Sequence, residues 1–124
     1  MTFAGRDDPL ACVPPFRGKL PDPLVGQTLE RLDVLQVNVG RLCNLACKHC
    51  HVEAGPNRTE VMSRSTMEHC LRVLAAWGFR TLDITGGAPE MNPDFRFLVD
   101  RGTAAGVHVI VRTNLVILHE SGYD

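Results

Sequence analysis

Residues 32–39 read Leu32-Asp33-Val34-Leu35-Gln36-Val37-Asn38-Val39, and Gly40 opens a loop to about Met62 that holds three cysteines. A mostly apolar, β-branched run of this length predicts a buried strand. These residues therefore predict a strand that carries a cysteine-rich loop at its carboxyl end.

A helix is predicted after the cysteine loop. It should begin at Ser63 or Ser65, because Ser65 and Glu68 have the spacing of a capping box. Gly78 stands where a helix C-terminal glycine belongs. The apolar face of this helix is predicted to comprise Met67, Cys70, Leu71, Leu74 and Ala75.

The same alternation continues downstream. Residues 81–85 predict a second strand, Asn92 and Pro93 predict the start of a second helix that runs to about Ala104, and residues 107–112 predict a third strand. Strands that alternate with helices in this way predict an α/β fold with a parallel sheet and right-handed crossovers.

The composition is typical of a globular protein in a reducing compartment. Apolar residues make up 44% and charged residues 22% of the chain, and the net charge of -1 favours neither a nucleic-acid surface nor an anionic-membrane surface. No apolar run approaches the roughly 18 residues of a membrane span, and residues 1–30 lack the apolar stretch of a signal peptide. We therefore expect a cytoplasmic protein, in which five cysteines argue against a disulfide framework.

Two regions are expected along the chain. Residues 1–30, rich in Pro, Gly and Asp, predict an irregular leader, and residues 31–124 predict a domain. Three parallel strands leave an open sheet edge, and the chain stops at Asp124 without a further element to cover it. The domain is therefore expected to be truncated and of marginal stability.

Three of the cysteines are clustered. Cys43, Cys47 and Cys50 have the spacing C-x3-C-x2-C. Three thiolates on one flexible loop can hold a cubane iron–sulfur cluster and leave one iron open to a small molecule, whereas ordinary electron-transfer clusters use four cysteines. A structural zinc site with His49 or His51 as the fourth ligand stays open as the alternative.

This spacing resembles the signature of the radical S-adenosylmethionine (SAM) superfamily, C-x3-C-x-aromatic-C, with His49 at the aromatic position. The resemblance implies that residues 31–124 are the N-terminal part of a partial (β/α) barrel, the radical SAM core. It implies a 4Fe–4S cluster on the three cysteines and SAM on the open iron, where one electron splits the sulfonium into methionine and a 5′-deoxyadenosyl radical. His49 is a candidate to stack against adenine, or else is a solvated loop residue.

Two further segments at strand ends resemble the SAM-binding motifs of the superfamily. Gly86 and Gly87 resemble its Gly-Gly-Glu segment, although Ala88 replaces the acid, which arrives at Glu90. Thr113 and Asn114 resemble a polar pair that approaches the ribose and carboxylate of SAM. All of these could instead be turn residues, but ligands of open parallel sheets bind at the carboxyl ends of strands.

Four stretches together are similar to one subfamily, the radical SAM/Cys-rich group of the arsenosugar-biosynthesis enzyme. They are residues 35–44, 47–52, 83–91 and 111–115, and the variant Gly86-Gly87-Ala88-Pro89-Glu90-Met91 is the most distinctive. The resemblance implies 5′-deoxyadenosyl transfer to a methylated trivalent arsenic species, with electrons from a donor such as flavodoxin or ferredoxin. The alternatives are a radical SAM protein that modifies a peptide or another small molecule, and a non-catalytic zinc module.

Overall fold

The computed structural model describes residues 32–123, so the predicted leader at residues 1–30 lies outside the described residues. The elements follow the predicted order. Strands β1 (Val34–Asn38), β2 (Thr81–Thr85) and β3 (His108–Val111) are separated by helices α1 (Arg64–Trp77) and α2 (Phe95–Ala104). Short 3-10 turns span Pro89–Met91 and Val116–His119.

The strands form one parallel sheet in the order β1-β2-β3 within the described residues. Val37 pairs with Ile84, and Ile84 pairs with Val111, so the three carboxyl ends meet at one edge. The prediction of an α/β fold with parallel strands is confirmed, and the arrangement agrees with part of a (β/α) barrel.

One face of the sheet carries the core. Side chains of Leu35, Val37, Leu82, Ile84 and Val109 lie on this face and pack against the helices. The opposite face is polar, with Gln36 and Asn38 exposed on β1. The prediction of a buried strand is therefore wrong for one face of β1. Alternate side chains point to opposite faces, and only the odd-numbered ones contact the helices.

Helix α1 is capped at the first of its two predicted positions. The Ser63 hydroxyl, not that of Ser65, caps the helix by accepting a hydrogen bond from the Thr66 amide N–H at 3.3 Å. Gly78 ends the helix in the left-handed conformation, as predicted. On the predicted apolar face Met67 and Leu74 are buried and Cys70 and Leu71 are partly buried, whereas Ala75 is exposed.

The start of α2 differs from the prediction. Asn92 does not cap it, because the helix begins at Phe95 after Asp94. Asn92 is instead buried, and its Nδ2 donates to the carbonyls of Val39 and Met62, both at 3.0 Å. This side chain therefore ties together the two ends of the cysteine loop.

No helix among the described residues is long and apolar enough to cross a membrane.

Candidate functional site

The loops that follow the three strands surround one cavity of about 800 Å³. Eight of the nine predicted site residues line it, namely Cys43, Cys47, His49, Cys50, Gly86, Gly87, Thr113 and Asn114. These residues are far apart in sequence and come together because parallel strands end at the same edge of the sheet.

The three thiols differ in their surroundings. Cys43 is buried, Cys50 is half-buried and Cys47 is exposed. Backbone N–H groups approach two of the sulfurs, since Leu45 donates to Cys43 Sγ at 3.4 Å and Ala54 donates to Cys50 Sγ at 3.3 Å. Such donors favour a sulfur that carries negative charge, which is the form that binds iron.

The donor set suits a cluster better than a single ion. Within residues 32–123, no group of three His, Cys, Asp or Glu side chains is arranged as the ligands of one metal ion. A cubane cluster binds each cysteine through a different iron, so the thiols need to surround a space instead of meeting at a point. Three thiols around one cavity fit that requirement.

Gly86 and Gly87 allow the loop after β2 to approach the cysteine loop. Both have positive φ, 107° and 53°. A Cβ atom at Gly86 would collide with Asn38, and one at Gly87 would collide with the carbonyl of Leu42. The Ala88 N–H donates to that same carbonyl at 2.9 Å, so the two glycines place backbone against backbone at the cavity wall.

Glu90 does not line the cavity of the cysteines. It lies on the 3-10 turn after Ala88 and lines a neighbouring cavity of about 510 Å³, which shares Thr113 with the first. Its Oε2 atom is buried without a hydrogen-bond partner among the described residues. The displaced acid of the Gly-Gly segment therefore lies outside the cavity that the three thiols line.

Thr113 and Asn114 form the turn after β3. The Asn114 Nδ2 donates to Cys43 Sγ at 3.6 Å and to Asn44 Oδ1 at 2.8 Å. The Thr113 Oγ1 accepts from the Leu115 N–H at 3.2 Å. The turn thus contacts a thiol of the cysteine loop directly, and Thr113 keeps a hydroxyl hydrogen for another acceptor.

The sequence did not predict a row of hydrogen-bonded polar side chains on the polar face of the sheet, opposite the face that carries the core. Asp83 accepts from Gln36 Nε2 at 2.8 Å and from Arg112 Nε at 2.9 Å and Nη2 at 2.8 Å. Hydrogen bonds from Arg112 hold the pKa of Asp83 below its ordinary value, and the same pairing raises the pKa of Arg112. Gln36 and Arg112 also line the cavity. The alternation within each strand indicates which side chains share this face, but the contacts of Asp83 with Gln36 and Arg112 depend on the register between strands.

Comparison with known proteins identifies the class. Residues 37–122 match the profile of the Radical SAM superfamily. The chain therefore belongs to this superfamily, whose members are enzymes that bind a 4Fe–4S cluster and SAM.

Curated relatives share part of the chain. The GTP 3′,8-cyclase of Chlorobaculum tepidum is 30% identical over 89 residues, which cover 70% of this chain and 27% of the relative. The probable GTP 3′,8-cyclase of Sulfurisphaera tokodaii is 27% identical over 88 residues, 70% of this chain and 28% of the relative. The Fe-coproporphyrin III synthase of Methanosarcina barkeri is 29% identical over 97 residues, 77% of this chain and 24% of the relative.

The chain thus spans about a quarter of the length of these relatives. None of the three is an arsenosugar enzyme by its name, so the arsenosugar assignment rests on the motif resemblance alone.

Proposed function

We propose that residues 31–124 are the N-terminal part of a radical SAM core that cleaves SAM reductively, with the cluster on Cys43, Cys47 and Cys50. The observation that carries the proposal is the single cavity at the carboxyl edge of the sheet, which all three thiols and both glycines line. Residues 1–30 are proposed to be a separate leader.

The residues that line this cavity have separate proposed roles. The bound cluster supplies the electron that breaks the sulfonium bond of SAM. The three cysteines hold the cluster at the loop, and the backbone of Gly86 and Gly87 binds the amino group of SAM. Thr113 offers its hydroxyl to the ribose or carboxylate, and His49 lies on the cavity wall where adenine could stack. Asn114 lines the same cavity and is proposed to approach the ribose through its amide oxygen, because its N–H groups are used within the protein. Glu90 lines the neighbouring cavity.

The proposed substrate is a methylated trivalent arsenic species, which would receive the 5′-deoxyadenosyl group. The Gly86-Gly87-Ala88-Pro89-Glu90-Met91 segment supports this, since it resembles the variant motif of the arsenosugar-biosynthesis group. The second candidate is a reaction on another small molecule such as GTP, which the names of the cyclase relatives support.

A reducing setting is proposed for the protein. Cys43, Cys47 and Cys50 are all free thiols, and an iron–sulfur cluster with an open iron needs protection from oxidants. We therefore place the protein in the cytoplasm with a flavodoxin or ferredoxin as electron donor.

Anaerobic reconstitution with iron and sulfide tests the cluster. The wild-type chain should take up one 4Fe–4S cluster, measured by iron and sulfide analysis and by visible absorption. Cys43→Ala, Cys47→Ala and Cys50→Ala should each abolish it, whereas Cys70→Ala should keep it because Cys70 lies against the helix core. Zinc in place of iron after anaerobic purification, or a cluster retained in all three variants, would refute the assignment.

A separate experiment tests the substrate. The full-length gene product is incubated with dithionite, SAM and dimethylated trivalent arsenic, and a parallel sample receives GTP instead. A deoxyadenosylated arsenic product in the mass spectrum is the expected result, with Cys43→Ala as the inactive control. A cyclised nucleotide without an arsenic product would favour the second candidate.

A further inference from the structure

The Asn114 carboxamide lies between the turn after β3 and the cysteine loop. Its Nδ2 is 3.6 Å from Cys43 Sγ and 2.8 Å from Asn44 Oδ1. An amide nitrogen carries two hydrogens, and each of these contacts takes one. The side chain therefore has no donor left for a ligand in the cavity.

The orientation of this amide is fixed by its other end. The Asn114 Oδ1 accepts from the Ile117 N–H at 3.0 Å. A flipped amide would place its oxygen against Cys43 Sγ and Asn44 Oδ1 and its nitrogen against an N–H, so each contact would lose its donor–acceptor match. Only the orientation with N–H toward the sulfur satisfies the network.

The backbone around Asn114 is held in an uncommon conformation that keeps this geometry. Leu115 has a positive φ of 61°, which is unfavourable for a residue with a side chain. Its N–H is bonded to Thr113 Oγ1, and Ile117, two residues later, is completely buried. Strain of this kind persists only where surrounding contacts enforce it.

We propose that Asn114 is a positioning residue that donates a hydrogen bond to the Cys43 sulfur and raises the reduction potential of the cluster. The inference rests on the proposed function, in which Cys43 ligates iron. Reduction adds one electron to the cluster and its ligands, and an N–H dipole aimed at a ligand sulfur stabilises the more negative, reduced form. Because Cys43 is the buried cysteine, water competes little for its sulfur.

The test measures the midpoint potential of the reconstituted chain without SAM, by EPR during titration with dithionite. Asn114→Leu removes the donor and should shift the potential to a more negative value. Asn114→Asp keeps the acceptor for Ile117 but places an anionic oxygen near the sulfur, so its shift should be larger in the same direction. Val116→Ala changes an exposed side chain of the turn that follows, which cannot hydrogen-bond to the sulfur, and should leave the potential unchanged.

Unchanged potentials in both Asn114 variants, or an equal shift in Val116→Ala, would overturn the inference. A second measurement covers the case in which the variants lose the cluster. With ¹⁵N only in asparagine side-chain amides, the reduced wild-type protein should show a ¹⁵N hyperfine coupling, and its absence would also overturn the inference. A wild-type chain that takes up no 4Fe–4S cluster would instead refute the proposed function itself.

Discussion

At Gly87 two loops approach so closely that no side chain fits between them. The Leu42 carbonyl, which accepts from the Ala88 N–H, occupies the space that a Cβ atom of residue 87 would need. Gly78 also has a positive φ, 68°, but has open space around its Cα. A comparison of substitutions at these two glycines therefore separates the effect of a positive φ from the effect of crowding.

Gly87→Ala should destabilise the chain more than Gly78→Ala. Both substitutions put a side chain at positive φ, which costs about 1–2 kcal/mol, but only Gly87→Ala also displaces the backbone of the cysteine loop. Urea titration should show the larger loss for Gly87→Ala, and iron analysis should show lower cluster loading in that variant alone. Equal losses in stability and full loading in both variants would contradict the crowding at Gly87.

Among the secondary-structure elements, local pattern was enough to predict the strands and helices but not the contacts between them. Gly78 and the β-branched runs act within a few residues, so their roles could be predicted. The role of Asn92 depends on carbonyls 53 and 30 residues earlier in the chain. The row of Gln36, Asp83 and Arg112 depends on strand register, which no single segment specifies. The cysteine site could be predicted because its residues are close together in the sequence and their thiols are known ligands of iron.

Asn92→Ala should destabilise the fold by about 1–3 kcal/mol, because the carbonyl of Met62 and the N–H of Asp94 lose their hydrogen-bond partners. Asn57→Ala is the matched control, since Asn57 is an exposed asparagine within the cysteine loop and should change stability by less than about 0.5 kcal/mol. Denaturant unfolding of both variants checks this. Similar values for the two would show that the buried amide contributes little.

The polar row on the sheet should make stability depend on pH. The pKa of Asp83 is lower in the folded protein because Arg112 donates hydrogen bonds to it, so the ionised carboxylate favours folding. That contribution is complete above the ordinary pKa of 3.8 and is lost as the pH falls through the lower, folded value. Asp83→Asn cannot titrate, so its free energy of unfolding should fall less than that of the wild type between about pH 6 and about pH 3. Parallel pH profiles for the two proteins would contradict this.

For the molecule as a whole, the cluster should add to stability without being required for the fold. The larger core cluster, which includes Val37, Met67, Leu74, Leu82 and Ile84, contains none of the three cysteines, whereas Cys43 lies in a smaller cluster with Ala88 and Ile117. The sheet and helices therefore have a hydrophobic core of their own, and the cluster adds the free energy of its binding to the folded state.

Reconstitution should raise the melting temperature of the wild-type chain by at least about 4 °C, which corresponds to about 1 kcal/mol for a domain of this size. The measurement is anaerobic calorimetry of the apo and reconstituted forms. Cys43→Ala should lose the increment and Cys70→Ala should retain it. A wild-type chain with the same melting temperature in both forms would show that the cluster is not coupled to folding.

The closed base of the cysteine loop bears on how the site can be repaired. Met62 N–H donates to the Val39 carbonyl at 2.8 Å, and Asn92 binds both residues from the side, so the ends of the loop are joined by the protein and not by the metal. Bringing the ends of a flexible segment together has an entropic cost that grows only slowly with its length. In this protein that cost is part of folding and not of cluster binding. If oxygen destroyed the cluster, the two ends of the cysteine loop would stay hydrogen-bonded to each other. We therefore expect the base of the loop to stay closed when the cluster is lost, so that a new cluster can bind without the loop ends first being brought together.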